Sequence, residues 1–266
     1  MENIEAYKRK LSAIGEAIRA KTGKTDLLDL DEMATEIEGI EVGGNTETED
    51  GLVARTLTEY HNDRITEIGA YGFAGSSKLE SVALPNVTAL RAYAFYECTS
   101  LQEVTFPSVT SSPRSGSRVF YGCTGLIKAD FPKLKEFSSA HTYWFNGCTA
   151  LKDVNLPLLT NISLRTFYGC TSLEKLLLPS VSTINGREAF VGCTTLEALI
   201  LKHNAVVTIV DISPFTNTPI ANGTGYIYVP KTLIEDYKAA TNWITFAEQF
   251  RAIEDYPEIC GGAEND

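Results

Sequence analysis

Basic charge is scarce in this 266-residue sequence: 23 lysines and arginines face 34 acidic residues, a formal net charge of -11. That balance argues against a general affinity for nucleic acid, whose phosphates are met by basic patches. Long apolar runs are also missing. No stretch approaches the roughly 20 apolar residues that cross a bilayer, so no membrane insertion is expected. The start, Met1-Glu2-Asn3-Ile4-Glu5, lacks the basic and apolar parts of a secretory leader and reads as a chain not exported by that route. Histidine is rare. His61, His141 and His203 lie far apart, and none has a serine or cysteine at nucleophile spacing. HExxH, P-loop, GxSxG and GxGxxG patterns do not occur. The six cysteines include no closely spaced pair and no histidine in step with them, so no metal site is expected. Neither catalysis nor a cofactor is expected.

What the sequence does contain is a repeat. Cys98, Cys123, Cys148, Cys170 and Cys193 recur at steps of 25, 25, 22 and 23, while Cys260 falls outside the series. Around them runs a longer unit: Phe95-Tyr96-Glu97-Cys98-Thr99-Ser100-Leu101 leads to Val104, Phe106 and Pro107. Phe120, Phe145 and Phe167 open equivalent copies ending at Pro132, Pro157 and Pro179. A first copy opens at Phe73, with Ser76 in place of cysteine, and a last opens at Phe190, with Lys202 in place of proline.

One unit cannot bury its own Leu, Val and Phe, whereas stacked units bury them in a continuous column. The alternation Leu-x-x-Val-x-Leu gives a short strand with alternate residues inward. The proline stops the strand because it cannot donate to the ladder between coils. Cysteine serves as a small buried filler. The motif Phe-Tyr-Gly-Cys-Thr-Ser-Leu-Glu-Lys-Leu-Leu-Leu-Pro at 167–179 resembles the repeat of BspA-like, treponemal-type leucine-rich-repeat proteins. The likeness runs over about residues 60–203. It implies a non-catalytic α+β repeat protein, a leucine-rich-repeat solenoid with short parallel strands, like bacterial surface antigens, adhesins and phage-associated proteins that act by binding.

The ends depart from the repeat. Residues 1–50 hold 13 acidic and 6 basic residues, a balance of -7, against -4 over the rest. Ile4, Tyr7, Leu11, Ile14 and Ile18 form an apolar helical stripe, and Asp29 with Glu32 opens a second helix. Residues 1–40 therefore read as a helical hairpin, or as a docking or oligomerisation segment that would leave homo-oligomer formation open. Residues 41–50 read as a flexible acidic linker and 51–225 as the solenoid, with a strand from Val53 to Tyr60 capping its first coil. Residues 226–258 read as a C-terminal cap: a strand at Tyr226–Val229, a helix opened by a Thr232/Glu235 capping box, and Trp243, Ile244, Phe246 and Phe250 over the column's end. Residues 259–266 read as a disordered tail. The N-terminal piece resembles a segment at the start of phage and prophage structural proteins of Gram-positive bacteria. This resemblance implies a phage tail protein, assembled in the cytoplasm, contacting other virion proteins through residues 1–40 and recognising a protein or glycan on the host surface. The alternative is a cell-surface or secreted adhesin of the same repeat family.

Two surfaces are candidates for binding. Lys128, Asp130, Asp153 and Asn155 stand on the outward face of the central strands, which turns apolar toward Leu177, Ala198 and Ile200. The coils opening at Phe95 and Phe120 are also three residues longer than the 22-residue ones. Their extra length lies within Ser111–Arg118 and Ser138–Trp144, and insertions at one phase of adjacent coils project side by side. Arg114, Arg118, His141, Tyr143 and Trp144 would then share a patch suited to a glycan, unless Tyr143 or Trp144 tucks back into the column. On the first reading, replacing Trp144 and Arg118 abolishes binding and spares stability; on the second, stability falls. Tyr96, Tyr121 and Tyr168 read as a stack between neighbouring coils.

Overall fold

The computed structural model describes residues 57–112, 118–137 and 142–261. All belong to the second of the chain's two units, Gly43–Asp266. The expected helical segment 1–40 and linker 41–50 lie outside the described residues, as do Arg114 and His141.

The repeat winds the chain into coils, each holding a longer and a shorter strand. The first four coils contribute β1 (Glu59–His61) and β2 (Glu67–Ile68), β3 (Ser81–Ala83) and β4 (Ala89–Leu90), β5 (Glu103–Thr105) and β6 (Ser111–Ser112), β7 (Lys128–Asp130) and β8 (Glu136–Phe137). Next come β9 (Asp153–Asn155) and β10 (Asn161–Ile162), β11 (Lys175–Leu178) and β12 (Thr183–Ile184), β13 (Ala198–Leu201) and β14 (Thr208–Ile209). The chain closes on β15 (Tyr226–Val229) and β16 (Phe250–Ala252). The longer strands pair in parallel as β1-β3-β5-β7-β9 and, after a break in the ladder, β11-β13-β15-β16. The shorter strands pair as β2-β4, β6-β8 and β10-β12-β14. The first strand begins at Glu59, and Leu57 and Thr58 stand outside it. Pro179 follows β11, but β13 also runs four residues where Lys202 replaces the proline, so the strand ends at the same place without it.

Inside, Phe73, Phe95, Phe120, Phe145, Phe167 and Phe190 stack face to face at 5.0–5.8 Å. Phe215 extends the column by another ring at 5.5 Å, opening a coil whose sequence had drifted from the motif. The five column cysteines are fully buried, and each Sγ–H donates to the carbonyl of the phenylalanine one coil back, at 3.0–3.1 Å. Cysteine therefore fills space and also adds a weak donor along the axis. Burial pushes the thiols of Cys123, Cys148 and Cys170 far up, which keeps them neutral.

The turn carrying each phenylalanine is knitted to its neighbour by backbone. The N–H groups two before, at and two after the phenylalanine donate to the next coil, as Tyr71, Phe73 and Gly75 do to Ala92, Ala94 and Tyr96 at 2.7–3.1 Å. Positive φ at both flanking positions accompanies this common alignment. After the ring stand Gly75, Gly122, Gly147, Gly169 and Gly192, at φ of +70° to +75°. Glu97 holds the same place at φ 55°, which costs a residue with a Cβ about 1 kcal/mol. Glu97→Gly should therefore raise stability by about 0.5–1 kcal/mol, read by denaturant titration. The same change should return the Tyr96 phenol toward its ordinary pKa, because a side-chain hydrogen bond with Glu97 is the first cause that raises it.

The C-terminal cap forms with corrections. β15 matches the expected strand, and a helix follows, α1 (Ile234–Ala239), but without the Thr232/Glu235 capping box: its N-cap is Leu233, with no side-chain cap bond. Trp243, Phe246 and Phe250 close the column against Phe215 and Tyr237, whereas Ile244 is exposed. The tail expected to be disordered from 259 is ordered through Gly261, and α2 (Pro257–Cys260) buries Cys260; residues 262–266 lie outside the described ones.

Candidate functional site

The outer face of the longer strands is built by alternation: Val104, Ala129 and Leu176 point into the column and are buried, so their neighbours point out. Parallel pairing puts Glu103, Lys128 and Asp153 in one row and Thr105, Asp130 and Asn155 in the next. Lys128, Asp130, Asp153 and Asn155 are thereby neighbours on this face. Asn155 Nδ2 donates to Asp130 Oδ1 at 2.7 Å, and Lys128 Nζ stands 4.0 Å from Asp153 Oδ2. With Lys152, Ser172, Glu174, Lys175 and Leu177 they line an open basin of about 590 Å³, where the ladder breaks between β9 and β11. Charges alternate across the basin, so its groups partly neutralise one another. The exposed Lys128–Asp153 pair contributes little to stability. No aromatic ring lines the basin.

The lengthened coils give a different result. The strands that lead into them, β6 and β8, are paired neighbours, so both insertions leave from adjacent rungs. The single patch expected around them does not form as proposed. Trp144 is fully buried, with its ring against Phe120, Phe131, Phe137 and Phe145 at 4.9–6.0 Å. It occupies the inward phase held by Ala94, Val119 and Ala189 in other coils. It belongs to the core.

Arg118 and Tyr143 do meet, in a ladder two residues before each phenylalanine. Its members Tyr71, Tyr93, Arg118, Tyr143, Arg165 and Glu188 all have φ between 45° and 59°. Tyr71 and Tyr93 stack at 4.6 Å; Arg118 Nη1 donates to the Tyr93 hydroxyl at 2.8 Å and lies 4.6 Å from the Tyr143 ring centre. Arg165 lies 5.8 Å from Tyr143 and pairs with Glu188, the first cause of its raised pKa. These contacts offset the unfavourable backbone of six bulky residues. They also cover aromatic faces, as does the Tyr96–Tyr121 stack at 5.3 Å, while Tyr71 at the ladder's end stays 59% exposed. Tyr71, Tyr93, Arg165 and Glu188 go unread in the sequence, although alignment two places before each phenylalanine finds them.

Among the described residues no group of three or more His, Cys, Asp or Glu side chains could hold a metal ion, and no helix is long and apolar enough to cross a membrane.

Known proteins set this arrangement in context. No curated protein matches the chain. Among solved structures, a leucine-rich repeat protein from Bacteroides ovatus is 22% identical, with a TM-score of 0.40, covering 75% of this chain and 58% of its own. The Treponema pallidum leucine-rich repeat protein is 21% identical, with a TM-score of 0.35, covering 54% and 58%. A leucine-rich cell surface protein of Faecalibacterium prausnitzii is 18% identical, with a TM-score of 0.32, covering 72% and 63%. The chain thus spans less than two thirds of each. None of these matches supports the likeness of residues 1–40 to phage proteins. The family described as the BspA type leucine-rich repeat region matches in six copies, over residues 66–197 and 116–235. These ranges together span more than half of the sequence, and the chain belongs to that family.

Proposed function

We propose that this chain is a non-catalytic binding module of the cell-surface type, and that its partner is a protein held on the outer face of the longer strands. The observation that carries this reading is the basin over β7, β9 and β11, which brings three lysines and three acidic residues together with Asn155, Ser172 and the apolar edge of Leu177. Alternating charges suit the mixed rim of a protein surface, where complementarity sets register and specificity. A glycan is the weaker candidate. Sugar stacking needs an exposed aromatic face, and the basin has no ring. The cell-surface setting fits the adhesin alternative better than a virion. It rests on membership of a repeat family whose members resemble surface antigens.

The test is a panel of purified extracellular-matrix proteins and a glycan array, probed with the full chain and with a Lys128→Glu/Lys152→Glu variant of unchanged circular dichroism. A protein hit weakened about tenfold or more in the variant is expected, about 1.4 kcal/mol or more. Glycan hits alone, or a protein hit that ignores the double charge reversal, overturn the assignment.

A further inference from the structure

Beyond the basin, the same sheet face is covered. Ala198, Ile200 and Tyr228 point away from the column, yet they are 7%, 1% and 3% exposed. The cover is the chain's own segment after β16. Ile253, Tyr256, Ile259 and Cys260 pack with them, and with Leu177 and Tyr226, in an apolar cluster separate from the main column. Leu177 belongs both to this cluster and to the basin lining, so the two areas are continuous.

The segment is held differently from everything around it. β16 pairs in register with β15 and completes the cap, and Phe250 and Ala252 are buried there. After Ala252, the backbone bonds made by Tyr256, Ile259 and Cys260 N–H groups all stay within the segment. Its polar ties to the body run through Lys231, whose N–H donates to Glu254 at 2.9 Å and whose Nζ donates to Asp255 at 3.0 Å. Charge is complementary: the cover carries Glu254, Asp255 and Glu258. The sheet side offers Lys231, Arg251 over the Tyr226 ring at 4.1 Å, and Lys175 and Lys202 close to Cys260. A small cluster with few polar ties to the body opens more easily than the column beside it.

We infer that the outer face of β11, β13 and β15 is a peptide-binding groove whose resident occupant is the segment Ile253–Cys260. The groove fits an acidic protein segment with an aliphatic, an aromatic and an aliphatic anchor three residues apart, as in Ile253-x-x-Tyr256-x-x-Ile259. Such a segment gains entry by displacing the resident one. This deepens the proposed function, because it rests on the outer sheet face being the binding surface.

The test uses the full chain with Tyr256→Ala/Ile259→Asp, which unseats the cover without touching the column. A fluorescein-labelled synthetic peptide of residues 252–262 should bind this variant and bind the wild type about tenfold or more weaker, since a tethered occupant competes at high effective concentration. Adding Ile200→Glu should abolish binding. A folded variant that does not bind the peptide overturns the inference, and so does a variant whose main thermal transition is lost, because the segment would then be part of the cap. A second measurement needs no variant. Thiol labelling of the native chain, followed by mass spectrometry, should show Cys260 reacting through local opening while the five column cysteines wait for global unfolding. All six reacting together would contradict it. The basin variant on the matrix panel does not touch the groove, so the peptide can bind while the matrix result fails, and the two failures are separable.

Discussion

Trp144→Ala lowers the free energy of unfolding by about 3–5 kcal/mol, the cost of emptying a fully buried aromatic site. Against the 5–15 kcal/mol that typically holds a domain together, that is a large share. The loss is concentrated because Trp144 bridges two coils: it contacts Phe120, Phe131 and Phe137 from one side and abuts Phe145 in its own turn. In a solenoid, stability is a sum of coil and interface terms, so weakening one interior interface divides the array. Urea titration should show a lowered midpoint or a split transition. Arg118→Ala, by contrast, removes one partly exposed hydrogen bond and the stacking on Tyr143, and should shift the midpoint only slightly. A Trp144→Ala chain of unchanged stability would place this residue on the surface after all.

Gly186→Val is expected to be nearly as damaging, by overpacking. A Cβ at residue 186 would lie 2.1 Å from the Ser163 carbonyl oxygen and 2.3 Å from its carbon. Both atoms are backbone of the neighbouring coil, held there by the Asn185 and Gly186 N–H bonds to Ile162 at 2.9 and 3.1 Å. Neither partner can rotate aside, so coils must separate, costing about 3 kcal/mol, the upper end for overpacked sites. The measurement is the thermal midpoint of the variant beside Gly223→Val, whose nearest neighbour is the movable end of Gln249 at 3.9 Å. Gly223 still has φ +82°, so its variant carries backbone strain and should fall between wild type and Gly186→Val.

How much of this was legible in the sequence follows from what the repeat encodes. Cysteine spacing and Leu-x-x-Val-x-Leu alternation specify the column and its parallel strands, because each interior position recurs once per coil. Trp144 was ambiguous because a tryptophan beside an insertion has two destinations. The inward phase was readable from Ala94, Val119 and Ala189, whose small side chains occupy its place in other coils. The basin residues Lys128, Asp130, Asp153 and Asn155 were legible since outward alternation fixes their side of the strand. The break between β9 and β11, which sets the basin's position, has no sequence mark. The covered groove was half legible. Outward Leu177, Ala198 and Ile200 signalled apolar surface, but the short stretch that covers it, Ile253–Cys260, has neither repeat phase nor helical length to announce it.

The most direct measurement takes the matrix protein captured by the wild-type chain and compares its affinity for three chains by interferometry: wild type, Lys128→Glu/Lys152→Glu on the strand face, and Arg118→Ser on the ladder. Affinity lost on the strand face and kept on the ladder is the predicted result. Affinity kept on the strand face and lost on the ladder would contradict it.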